Sequence, residues 1–335
     1  MKPAAAFLLL TPAFAQSWVL QNSGVKASLR GISAVNSSVA WASGTGGTWL
    51  RTLDAGAHWT AGVVAGAADL DFRGIRAFDA NTAMLLSSGT GDKSRIYKTT
   101  DGGSHWTLLF TNPDAKGFFD AIAFWDPMRG IVLGDAVGGA MTVFTSTDGG
   151  AHWAKQKTPE ALPNEGAFAA SNSSLALFGR QDAWFGTGGA AAARIYHSGD
   201  GGRNWTVKSA PVRSDGASAG IFSIAFRDAK HGIAVGGDYR SDKEPAGNAA
   251  ITNDGGASWR APASSGPHGF RSSVHYLPRG RQWIATGTSG SDVSKDDGQT
   301  WTQFDNGSFN ALSGAWAVGA NGRIAVLNSN GARSQ

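Results

Sequence analysis

The chain has 335 residues, 41% of them hydrophobic, with 47 glycines, 13 tryptophans and no cysteine. A formal charge of +4 without any Lys/Arg-rich run argues against a nucleic-acid surface. The absence of thiols excludes disulfides, Fe–S clusters and thiolate redox pairs.

Residues 1–15 read as a signal peptide. Met1-Lys2 is a short basic start, an apolar run follows, and Ala13-Phe14-Ala15 has the small-x-small pattern of a cleavage site, which makes Gln16 the first mature residue. The apolar run is too short to span a bilayer, so the expectation is an exported protein, periplasmic or extracellular and not membrane-spanning. A buried first strand is the plainer alternative. Beyond residue 15 no stretch keeps an apolar 3.6-residue period; short strands joined by tight turns are expected instead.

From Trp18 onward one unit recurs: Ser/Thr, any residue, Asp, any residue, Gly, two more, Trp. It is carried by Asp54 and Trp59, Asp101 and Trp106, Asp148 and Trp153, Asp200 and Trp205, Asp254 and Trp259, and Asp296 and Trp301. Steps of roughly 40 to 55 residues between the tryptophans signal a propeller with four strands per blade. In each box the Asp can accept hydrogen bonds from its own turn and the Gly supplies a positive φ. The Trp then opens the outgoing strand and buries its ring. A calcium loop is the rival reading of these Asp-Gly pairs, but the alternating oxygen ligands and the closing Glu are missing, so no metal is expected.

Residues 73–86 and 120–133 align without a gap as strand, turn, strand. Trp41, Trp184, Trp283 and Trp316 take matching places in second strands, and Arg95, Tyr97, Arg194 and Tyr196 take matching places in third strands. After Trp301 only three strands remain, so Trp18 must supply the outer strand of the last blade. This closes the ring and leaves no unpaired seam. The mature chain, residues 16–335, therefore reads as one all-β domain, a seven-bladed β-propeller, monomeric by default.

Function is expected on the face opposite the boxes, where inter-blade loops and second-to-third-strand loops ring the central funnel. Arg30, Arg73 and Arg271 stand near the starts of innermost strands, where converging guanidinium groups would hold a carboxylate, a phosphate or an acidic peptide. Pairing with Asp69, Asp71 or Asp120 is the plainer use of the same arginines. Asp120 takes the equivalent place in blade three, and Asp135 and Asp238 end second strands. Glu165 and Tyr239 sit on the two longest loops, residues 159–166 and 238–248.

The boxes resemble those of the BNR/Asp-box proteins, among them sialidases, xyloglucanases and sortilin-type receptors. As a whole the mature chain is similar to the photosystem II stability/assembly factor-like proteins. The similar stretches are Leu29-Arg30-Gly31-Ile32, Phe72-Arg73-Gly74-Ile75, residues 119–126, Gly134-Asp135 and Phe270-Arg271-Ser272-Ser273. That resemblance implies a seven-bladed propeller with a non-catalytic role in protein assembly; relatives also occur in organisms without photosynthesis. The leading expectation is recognition of a protein or peptide partner, such as a component of an envelope complex, with no catalytic residue and no cofactor.

A glycoside hydrolase is the alternative, since Asp120, Asp135, Glu165 or Asp238 could supply two carboxylates. The sialidase pattern itself is incomplete, because Phe72-Arg73-Gly74-Ile75 lacks the proline of that family's motif. An oxidoreductase, as some relatives are labelled, is the minor alternative. Gly186-Thr187-Gly188-Gly189 lies between strands and does not open a helix, so it is no dinucleotide fingerprint.

Overall fold

Among the described residues after the first strand, runs of three or four strands close into antiparallel sheets before the next run begins. The structure, a computed structural model, describes residues 16–264 and 266–328; the signal-peptide reading of residues 1–15 lies outside them. Seven sheets stand side by side, and their innermost strands contact one another in a closed ring. Those strands are Leu29–Ala34, Phe72–Ala77, Phe119–Phe124, Leu175–Phe178, Ala219–Phe226, Ser273–Leu277 and Ala311–Ser313. The molecule is a seven-bladed β-propeller.

The seam is closed as expected. Ser17–Gln21 runs antiparallel to Ile324–Asn328, with Trp18 opposite Leu327. The Trp18 indole donates to Ser291 Oγ at 3.0 Å and packs against Phe304 and Phe309, tying the last blade to its neighbour.

Each blade buries both faces against its neighbours, which explains second strands that are buried at every position, such as Ala40–Gly44 and Ala83–Ser87. The core is accordingly seven layers, one per blade interface, and not a single centre. Trp41, Trp184 and Trp283 are its largest fully buried side chains. The Trp41 indole donates to Asp79 O at 3.1 Å and that of Trp184 to Gly255 O at 3.0 Å, so each ring also fastens its blade to the next.

The six repeated Asp turns join third to fourth strands. In the first, Asp54 Oδ1 accepts from the His58 amide and the Thr52 hydroxyl, each at 2.9 Å, while Thr52 Oγ1 accepts from the Gly56 amide. Gly56 sits at φ 82°, in the left-handed region that favours glycine. The same bonds recur at Asp101, Asp148, Asp200, Asp254 and Asp296, although the Asp254 turn follows a third strand that has no paired fourth strand. The backbone and side-chain bonds from His58 and His105 hold the Asp54 and Asp101 carboxyls down to about 2. A depressed folded-state pKa contributes stability above the unfolded value of about 4 and loses it as pH falls through about 2. An Asp54→Asn/Asp101→Asn variant should therefore lose less stability than the wild type between those pH values, as read by tryptophan fluorescence in denaturant at stepped pH.

Two blades depart from the repeat. Among the described residues blade five has three strands where four were expected; beyond Ala249–Thr252, Arg260 forms a bridge with Ile251. Pro262, two residues after Arg260, has no amide hydrogen to extend that ladder. In blade four the chain crosses the central channel before its short inner strand begins. There Asn172, at φ 63°, accepts from the Ile122 amide at 2.8 Å and donates to Ile122 O at 3.1 Å and Ile75 O at 3.4 Å. Ser171 donates to Ser272 O at 2.7 Å, and Ser173 bonds Ser223 at 2.7 Å.

One segment thus links blades two, three, five and six and plugs the channel. Asn172→Ala should lower stability by about 1–3 kcal/mol, because it strands the Ile122 amide. Asn172→Gly keeps the favoured backbone and isolates the hydrogen-bond loss, and equilibrium denaturation of both separates the two effects.

Candidate functional site: a funnel with a charged half and an aromatic half

The position of the funnel follows from a backbone irregularity. In blades one, two, three and five the pairing of the inner strand with the second strand skips one residue, between Leu29 and Gly31, Phe72 and Gly74, Phe119 and Ala121, and Ile221 and Ser223. The skipped residues are Arg30, Arg73, Asp120 and Phe222. A bulge frees one residue from the ladder and re-aims its side chain, and all four line one cavity of about 500 Å³ above the plugged channel.

Blades one to three make the charged half. Arg73 Nε donates to Asp71 Oδ2 at 2.7 Å, and its guanidinium reaches Ala169 O at 3.5 Å. Arg30 forms no ion pair or hydrogen bond among the described residues, and its Nε is buried without a partner. Burial, then repulsion from Arg73, lowers the Arg30 pKa, with Asp71 partly opposing them. Asp120 is only 1% exposed, and its Oδ2 has no partner either. Burial and the nearby Asp135 push its carboxyl well above the usual range, against a smaller pull from Arg73. Asp135 accepts the Ala167 amide at 3.0 Å; burial raises its pKa too, partly offset by that bond.

Blades four to six supply the aromatic half. Phe168 and Phe222 stack with centroids 3.8 Å apart, and Phe270 meets Phe222 edge-on at 4.7 Å. Tyr239, 46% exposed, stands edge-on to both Phe222 and Phe270. Asp238 does not line the cavity; it accepts the Arg240 amide at 2.9 Å and starts the single helical turn Tyr239–Ser241 that presents Tyr239.

Besides Asp238, two more expected funnel residues lie elsewhere. In blade six the pairing of inner and second strands has no bulge: Ser273 pairs with Thr286 and Val274 with Ala285, so Arg271 falls upstream of the ladder and turns into the wall. It is fully buried, with Nε on Asp292 Oδ2 at 2.6 Å and a second guanidinium nitrogen on Phe270 O and Ser289 Oγ. Glu165 is pinned beside the funnel by the Thr187 hydroxyl at 2.6 Å, the Leu162 amide at 2.7 Å and Arg194 Nε at 2.9 Å, with no oxygen turned to the cavity.

Phe118, Phe168, Phe222 and Phe270 were not foreseen as lining residues. Only Phe222 had a readable signal, since its place in blade five matches that of Arg30 and Arg73.

No family model and no curated protein matches the chain. Solved structures do. A structure of YCF48 bound to D1 peptide is 15% identical with a TM-score of 0.63, over 98% of this chain and 99% of that one. YCF48 from Cyanidioschyzon merolae is 17% identical with a TM-score of 0.60, over 92% and 98%. The WD40 propeller domain of Doa1 is 11% identical with a TM-score of 0.62, over 95% and 98%. What the chain shares with them is the fold. Among the described residues no helix is long and apolar enough to cross a membrane.

Proposed function

We propose that the protein is an exported, non-catalytic BNR/Asp-box propeller that binds a peptide segment of a partner protein in its funnel. The observation that carries this reading is Arg30, a part-buried guanidinium whose Nε is buried without a partner, facing an aromatic wall across a cavity of about 500 Å³. A part-buried cation whose buried Nε lacks an acceptor carries a desolvation cost, and an anionic group on a ligand offsets it. The stacked Phe168 and Phe222 would take an apolar side chain of the same peptide. Support for a peptide ligand comes from the similar propeller that was solved with a peptide bound. Assembly of an envelope complex is the setting that fits an exported binder.

Panning a displayed library of random peptides on residues 16–335 tests the proposal. Enrichment of peptides that combine an acidic group with an apolar side chain is expected, and an Arg30→Ala/Arg73→Ala variant should lose it. A pool that is unenriched, or unchanged by the variant, would count decisively against a funnel that binds peptides.

A further inference from the structure

Asp120 and Asp135 are not used by the anion-binding reading, and their surroundings are unusual. The Asp135 amide donates to Phe118 O at 2.9 Å, which clamps the end of the second strand to the start of the inner one, and both Asp120 and Asp135 line the cavity, near enough for Asp135 to raise the Asp120 pKa. Asp120 is almost wholly buried and makes no hydrogen bond among the described residues; its Oδ2 is a buried acceptor without a donor. Asp135 gives one oxygen to the Ala167 amide and leaves the other without a bond. Neither funnel arginine neutralises the pair. Arg73 is committed to Asp71, and no cationic nitrogen among the described residues stands within ion-pair distance of Asp120 or Asp135.

We infer that Asp120 and Asp135 form a cation subsite in the funnel, which receives the ammonium or guanidinium group of a basic residue in the bound peptide. This deepens the peptide-binding reading and rests on it. A buried acid that lacks a donor is satisfied when a ligand supplies one, and charge-assisted bonds of this kind are the strong ones. The chemistry favours an organic cation over a metal ion. No cluster of three ligating side chains exists among the described residues, whereas the rings of Phe118 and Phe168 line the same cavity and suit an ammonium or guanidinium group. While the subsite is empty, the raised Asp120 pKa lets the carboxyl shed its charge. The ligand class is therefore a peptide carrying an acidic group, an apolar side chain and a basic residue within one short stretch.

Library pools selected on the wild type and on an Asp120→Asn/Asp135→Asn variant decide the matter, because Asn preserves shape and removes charge. Lys or Arg should be enriched beside acidic and apolar residues on the wild type. On the variant that basic enrichment should fall at least about fivefold while the acidic enrichment stays. A measurement that needs no variant is the affinity of one selected synthetic peptide and of its norleucine-for-lysine analogue for the wild type, where a loss of at least about tenfold is expected. Pools rich in acidic and apolar residues with no basic preference, or with one the variant keeps, overturn the cation subsite and leave peptide binding intact. Pools without any enrichment overturn both.

Discussion

Arg271→Ala should destabilise the propeller by about 3–5 kcal/mol, the usual cost of removing one partner of a buried ion pair. Arg271 and Asp292 are both fully buried, and the arginine also bonds Phe270 O at 2.8 Å and Ser289 Oγ at 2.9 Å. Truncation would leave the Asp292 carboxylate with His268 Nδ1, at 2.6 Å, as its remaining side-chain partner, and would open a cavity the size of a guanidinium between the third strand of blade six and the loop that leads into that blade. The damage should come from the stranded charge more than from the loss of attraction. An Arg271→Met/Asp292→Leu double variant should therefore recover most of the stability, since well-packed apolar pairs often replace buried ion pairs at little cost. Urea denaturation of the two variants distinguishes these causes. If Arg271→Ala were as stable as the wild type and failed only in peptide binding, Arg271 would belong to the funnel after all.

The misplacement of Arg271 shows what a repeat alignment reads well and where it fails. Box spacing, second-strand tryptophans and the arithmetic of the last blade report on contacts that recur in nearly every blade, so blade count, strand order and seam closure were legible. Funnel residues depend on a bulge, a one-residue slip in pairing that leaves no mark in composition. Phe72-Arg73-Gly74-Ile75 and Phe270-Arg271-Ser272-Ser273 look alike, yet only the first is bulged, and one guanidinium faces the cavity while the other is sealed in the wall. Asp120 follows the bulge rule, and so does Phe222, an aromatic in the place that Arg30 and Arg73 take in blades one and two.

The plug was illegible for a different reason. Ser171, Asn172 and Ser173 form an ordinary-looking polar stretch whose partners lie in four other blades, and such long-range bonds have no local signature. Glu165 shows the converse. A long loop with Glu165 near its end suggested a binding group, but Arg194 and Tyr196, matched in the repeat, hold its oxygens. The stretch just before the plug residues, Ala167 to Ala170, lines the cavity.

Arg30→Ala should separate stability from binding in the opposite sense to Arg271→Ala. In the free protein Arg30 is desolvated, repelled by Arg73 and without a hydrogen-bond partner, so its removal should leave unfolding unchanged or slightly harder. Binding of a selected acidic peptide should weaken at least about 30-fold, because truncating one side of a desolvated charge contact costs about 2–5 kcal/mol. Arg73→Ala behaves differently: it strands Asp71, whose Oδ1 already lacks a partner, and should lower stability as well as affinity. Calorimetric titration beside a thermal melt of each variant reads both quantities. Unchanged affinity in Arg30→Ala would move the anion site onto Arg73 or off the funnel, while destabilisation of that variant would mean that Arg30 supports the fold through its aliphatic stem and not through its charge.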